Sequence, residues 1–102
     1  MQPEVEISKR GEKNFVAYVG IGDGTQRYAR EGLQSIAHCL RDAAAALGTE
    51  FRFATVSYER TRLGSYPVAV MAHRAHDVEE ELVLKLAKLR APARTGSGVN
   101  AP

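Results

Sequence analysis

Apolar and polar residues alternate at the start of the chain, where Val5 and Ile7 are separated by Glu4, Glu6 and Ser8. A period of two is that of a strand with one wet and one covered face. Phe15 to Ile21 (FVAYVGI) is apolar at nearly every position and rich in β-formers, so it reads as a central strand. The polar turn around Gly11 joins the two as a hairpin. Gly22-Asp23-Gly24 is a second turn, built from residues that tolerate the positive φ of tight hairpins. Thr25 to Glu31 then reads as a third strand rather than the start of a helix. Tyr28 would lie off the apolar stripe of such a helix, and Gly32 inside it would cost about 0.5–1 kcal/mol relative to Ala.

At Leu33 the period changes. Leu33, Ile36, Ala37, Leu40, Ala44 and Leu47 fall on one helical stripe, Cys39 sits at its border, and Gly48 is the expected stop. Ala45 and Ala46 face away from the stripe as good helix formers. Phe51 to Arg60 has strand composition, but Phe51 and Phe53 oppose the register of Val56 and Tyr58, which predicts a bulge or cover on both faces. Leu63 to Ser65 reads as a turn and Tyr66 to His73 as the returning strand, with Pro67 at its start or on an edge. A second helix follows. Asp77 and Glu80 form a capping-box pattern, Glu79 to Glu81 and then Lys85, Lys88 and Arg90 complement the dipole, and Pro92 marks the end. Its stripe is Val78, Leu82, Leu86 and Leu89, and Val83 and Leu84 widen it beyond what one contact surface needs. The predicted fold is a single α+β domain over residues 1–92, a small antiparallel sheet packed with two helices in the order β-β-β-α-β-β-α, and residues 93–102 read as a disordered tail.

Composition narrows the function classes. The length of 102 residues admits one hydrophobic core, and 44% apolar with 25% charged residues is the balance of a globular chain. A net charge of +2 does not by itself point to a polyanion, so the distribution of Lys and Arg has to decide. The single cysteine, Cys39, excludes an internal disulfide and fits a reducing compartment. With no apolar leader pattern in MQPEVEISKRG and no run of about 20 apolar residues, the expectation is a cytoplasmic protein with no membrane partner.

Catalytic and metal motifs are not apparent. The loop Gly20 to Thr25 lacks the Lys-Ser or Lys-Thr of a phosphate-binding loop and is explained as a hairpin turn. His73, His76 and Asp77, with His38 and Cys39, are of metal-ligating type but not of diagnostic spacing. Ser35, Ser57 and Ser65 lack a glycine-framed elbow, and Cys39 in mid-helix lacks an activating dipole. The chain is therefore read as a non-enzyme with no catalytic residue, metal or cofactor assigned. Its most suggestive feature is a basic stretch in which Arg52, Tyr58, Arg60, Arg62, Tyr66 and Arg74 are opposed only by Glu59, with Arg27 and Arg30 as additions from the third strand. Such residues neutralise phosphates and stack bases, contact an acidic protein surface, or simply solvate strand faces.

The first half, EVEISKRGEKNFVAYVGIGDGTQRYAREGLQSIAHCLRDAAAAL, resembles the HicB-type antitoxin domain in its order of elements. The likeness lies in an apolar second strand like FVAYV, a glycine-containing turn, a third strand ending near Gly32 and an alanine-rich amphipathic helix. Gly22-Asp23-Gly24 stands where that family usually has a proline before its turn glycine, and no DNA-binding module follows. The resemblance implies a three-stranded sheet on a helix and a toxin-neutralising role. Taken together, the expectation is a non-enzymatic macromolecule-binding protein acting by protein–protein contact, as a small inhibitor, antitoxin or regulatory subunit. Homodimerisation through the broad second helix or a sheet edge is compatible with it. The alternative is a nucleic-acid-binding module using the basic hairpin around residues 52–74.

Overall fold

A computed structural model describes the backbone of residues 2–21 and 25–98; side chains 25–27 and 90–98 lie outside the description, as does the predicted turn Gly22-Asp23-Gly24. The elements are β1 (Glu4–Gly11), β2 (Asn14–Ile21), β3 (Thr25–Leu33), α1 (Ile36–Leu47), β4 (Phe53–Tyr58), β5 (Thr61–Pro67), α2 (Val68–His73) and α3 (Ala75–Gly98). They form an α+β fold in the expected order, with the short α2 added. The sheet runs β3-β2-β1-β4-β5.

β1 is central, and Val5 lies opposite both Val19 of β2 and Val56 of β4. The β1–β4 pair is parallel, so the sheet is mixed and not wholly antiparallel as expected from its hairpins. Connectivity is the cause. After three strands that run up, down and up, α1 carries the chain back across the sheet, and β4 must enter beside β1 in the same direction. One face of the sheet is covered: Val5, Ile7, Ala17, Val19, Ala54 and Val56 are buried in one core with Ile36, Ala37, Leu40, Ala44 and Leu47 of α1. Each fully buried Leu or Ile contributes roughly 1.5–3 kcal/mol of transfer free energy. Cys39 and Ala43 are buried too, because α1 also packs against α2 and α3. The alternate positions Glu4, Glu6, Tyr18, Thr55 and Ser57 lie on the open face and keep some solvent exposure, whereas Val16, opposite Ser8 on the same face, is 1% exposed. In the fourth strand Ala54, Val56 and Tyr58 point inward and Phe53 outward, Phe51 lies before the strand, and of the two expected explanations it is the bulge that is found, where the β4–β5 register shifts between Val56 and Ser57.

Local chemistry explains most boundaries. Ser35 caps α1 by accepting the His38 N–H (3.0 Å), and Gly48 ends it with φ of 63° and an N–H bonded to the Ala44 carbonyl (3.0 Å). Three expectations need correction. The second hairpin turns at Glu59-Arg60, not at Leu63 to Ser65, and Tyr66 to His73 is not a strand: β5 ends at Pro67 and residues 68–73 are helical. Burial of Val68 and Met71, three apart on one helical side, overrides the β preference of Val68 and Val70. Finally, α3 begins at Ala75 and runs past Pro92 to Gly98, and the Asp77 carboxylate accepts from Arg74 Nε (2.8 Å) instead of capping the helix. Asp77 still complements the dipole from the first turn. The tail expected from Ala93 falls largely on side chains and residues outside the description.

If α1 is the core helix, its buried and capping residues should differ in weight. Leu40→Ala is expected to lose about 2–5 kcal/mol and Ser35→Ala about 1 kcal/mol in urea unfolding followed by circular dichroism. Equal losses would contradict this assignment.

Candidate functional site

The basic stretch does not form one surface. Strand alternation sends Tyr58 and Tyr66 into the core, 9% and 6% exposed, so neither offers a ring face for stacking. Arg60 is in the β4–β5 turn, and Arg62 is exposed on the open face beside Glu4 (3.7 Å). Arg74 lies between α2 and α3 against Asp77, and Arg52 precedes β4 at the opposite end of that strand from Arg60. Arg30 is on β3, the far edge strand, where its Nε donates to the Tyr28 hydroxyl (3.0 Å) and approaches Asp42 (3.6 Å). Tyr28 also donates to Asp42, which fastens β3 to α1. Arg27 lies outside the described side chains. Among the described arginines of the predicted set, only Arg60 and Arg62 are thus close in the same hairpin.

Arg60 borders a groove of about 620 Å³ on the open face, with Glu6, Arg10, Tyr18 and Glu59 among its walls. Its turn is unusual. Glu59 and Arg60 have φ of 47° and 70°, a conformation two-residue hairpins normally give to Asn or Gly. The turn is held by the Glu59 N–H to the Ile7 carbonyl (2.8 Å) and the Arg60 N–H to the Glu6 carboxylate (2.7 Å); the Glu59 carboxylate in turn accepts the Lys9 N–H (3.1 Å). Both carboxylates therefore serve the backbone. Arg10 is similarly engaged, donating to the Tyr18 hydroxyl (2.8 Å).

A different surface stands out on α3. Phe53, Val83, Leu84 and Leu89 are the exposed large apolar residues among those described, and three of the four are on this helix. Val78 and Leu82 are buried and Leu86 partly so, which places the inward stripe. Leu89 continues that stripe but is 56% exposed, while Val83 and Leu84 lie on another side, 49% and 64% exposed. The helix is fastened by Lys85. Its Nζ donates to the Leu63 carbonyl (3.0 Å) and the Tyr66 hydroxyl (2.7 Å), stands 5.0 Å from the Tyr66 ring centre and approaches Glu81 (3.4 Å). Gly64 keeps the approach open, since a Cβ there would come within 3.2 Å of Nζ. Tyr66 also donates to Glu81 (3.0 Å). Nothing in the basic-hairpin pattern pointed to this side of α3; the sequence signal was the excess width of its apolar stripe.

Groups with nucleophilic or metal-ligating chemistry are scattered. Cys39 is buried, and burial chiefly pushes its thiol up to about 12. His38 accepts the Gln34 N–H on Nδ1 (3.2 Å), His73 is exposed at the end of α2, and His76 stands beside Glu79 (3.7 Å). Among the described residues no three His, Cys, Asp or Glu side chains converge as a metal site, and no helix is long and apolar enough to cross a membrane. Comparison with family models, curated proteins and solved structures returned no match.

The Lys85 cluster has a pH signature. Burial chiefly pushes Tyr66 above its ordinary 10.0, and the hydrogen bond that Lys85 donates to the Tyr66 hydroxyl chiefly pushes Lys85 above 10.5. Both groups hold their protons more tightly in the folded chain, so their contribution is complete below the ordinary values and is lost as pH rises through the folded ones. The urea midpoint should therefore fall above pH 10, and fall less in Tyr66→Phe. Identical alkaline profiles for the two proteins would show that the cluster does not carry the effect.

Proposed function

We propose that this chain is a non-enzymatic protein-binding module of the inhibitor, antitoxin or regulatory-subunit kind, and that the outer side of α3 is a protein-docking surface. The observation that carries the reading is the exposure of Val83 and Leu84 next to each other on a helix whose inward residues Val78 and Leu82 are already buried against the rest of the fold. Apolar residues exposed singly need no explanation, whereas a contiguous patch rimmed by charge marks an interaction surface. Glu80 and Lys88 supply such a rim. The element order shared with HicB-type domains agrees with a role exercised by contact. Nucleic-acid binding through residues 52–74 is less well supported, because the two tyrosines that would stack bases are core residues and the arginines are distributed over several sides of the fold.

A photo-cross-linking residue at position 84, with one at the exposed Ala45 of α1 as control, tests the reading in the native host. The expected result is a discrete protein adduct from position 84 and none from 45. Because Leu84 is exposed, the substitution should change stability by less than about 0.5 kcal/mol. Absence of an adduct at 84, or an equal one at 45, would overturn the proposal.

A further inference from the structure

We infer that the occupant of the outer side of α3 is a second copy of this chain, packed antiparallel about Leu84 so that Glu80 of each copy meets Lys88 of the other. This rests on the reading of that side as a docking surface and names its partner. The charges of α3 among the described side chains fall into two groups. Asp77 pairs with Arg74, Glu79 with His76 and Glu81 with Lys85, all within the chain. Glu80 and Lys88 have no ion-pair partner among the described residues, and the helical neighbour four positions from each toward the middle is Leu84.

These three residues form a single i, i+4, i+8 row, acid, apolar, base, spanning about 12 Å of helix. Two such rows laid antiparallel about their midpoints align Glu80 with Lys88 at both ends and Leu84 with Leu84 at the two-fold. Laid parallel, they align like charges. The row is therefore self-complementary in one orientation, which is the requirement of an isologous two-fold interface. Val83 and Ala87 lie beside it on the same side and extend the apolar contact. A partner of uniform charge fits less well, since whatever pairs with Lys88 is repelled by Glu80.

Charge reversal tests both the partner and the orientation. Sedimentation or light scattering of the full chain should show a dimer. Glu80→Lys and Lys88→Glu should each weaken it, on the order of tenfold or more, because each reversal replaces two attractive pairs with two repulsive ones. Both side chains are exposed, so both variants should fold, as circular dichroism will check. An equimolar mixture of the two variants should associate again, since all four charges across the mixed interface are then opposite; the double variant should also dimerise. A wild-type chain that stays monomeric at its highest soluble concentration, single reversals without effect, or a mixture that fails to associate would each overturn the inference. A monomer that still gives an adduct with a different protein from position 84 would overturn it while leaving the docking reading intact, and a monomer with no adduct would remove both.

Discussion

The sheet has one covered face, and the helices have to share it. Five strands about 4.8 Å apart present a surface roughly 20 Å wide, and helices are about 10 Å across. That is room for two. α1 occupies the part over β1, β2 and β3, and α2 with α3 takes the remainder beside β5. α2 is held to 6 residues, whereas α3 has 24 and is about 36 Å long. β5, at 7 residues, is roughly 23 Å long. The sheet ends before the helix does. Leu89 is therefore exposed although it lies on the stripe that buries Val78 and Leu82, and Val83 and Leu84 face outward because the inward side is already filled.

Lys85 stands at the crossing of these two regimes. Its aliphatic stem and ammonium reach back to Leu63, Tyr66 and Glu81, so the helix is fastened to β5 close to where Val83 and Leu84 turn to solvent. This fixes the orientation of the outward residues. A docking surface on a frayed helix end would lose binding free energy to ordering, whereas one beside a fastened turn starts already ordered. The same contact explains why Gly64 sits in β5 opposite the helix, where a side chain would crowd the ammonium.

Local pattern revealed the first half of the fold well, and long-range consequences much less. The period of two in Val5 and Ile7, the apolar run of β2, and Gly32 and Gly48 at positive φ (75° and 63°) each act through neighbours in the chain. The boundary between β5 and α2 was not legible because VAVMA suits either state, and burial of Val68 and Met71 decides it. The parallel pairing of β4 with β1 depends on where α1 returns the chain, which no local pattern encodes. The basic stretch misled for a simple reason. Proximity in sequence does not imply a shared face, and alternation through a bulged hairpin puts Tyr58 and Tyr66 inside while Arg60 and Arg62 stay out. The excess width of the α3 stripe was visible, but its meaning depended on knowing which side the sheet uses.

The central claim is that the chain's own fold covers the inward side of α3 and that a second copy covers its outer side about Leu84. Amide hydrogen exchange along Ala75–Gly98, measured at low and at high protein concentration, addresses it most directly. The expected result is protection that rises as the chain associates, most of all at residues 80–88 around Leu84. Protection of residues 80–88 that is the same at every concentration, or a rise confined to other turns of the helix, would contradict the claim.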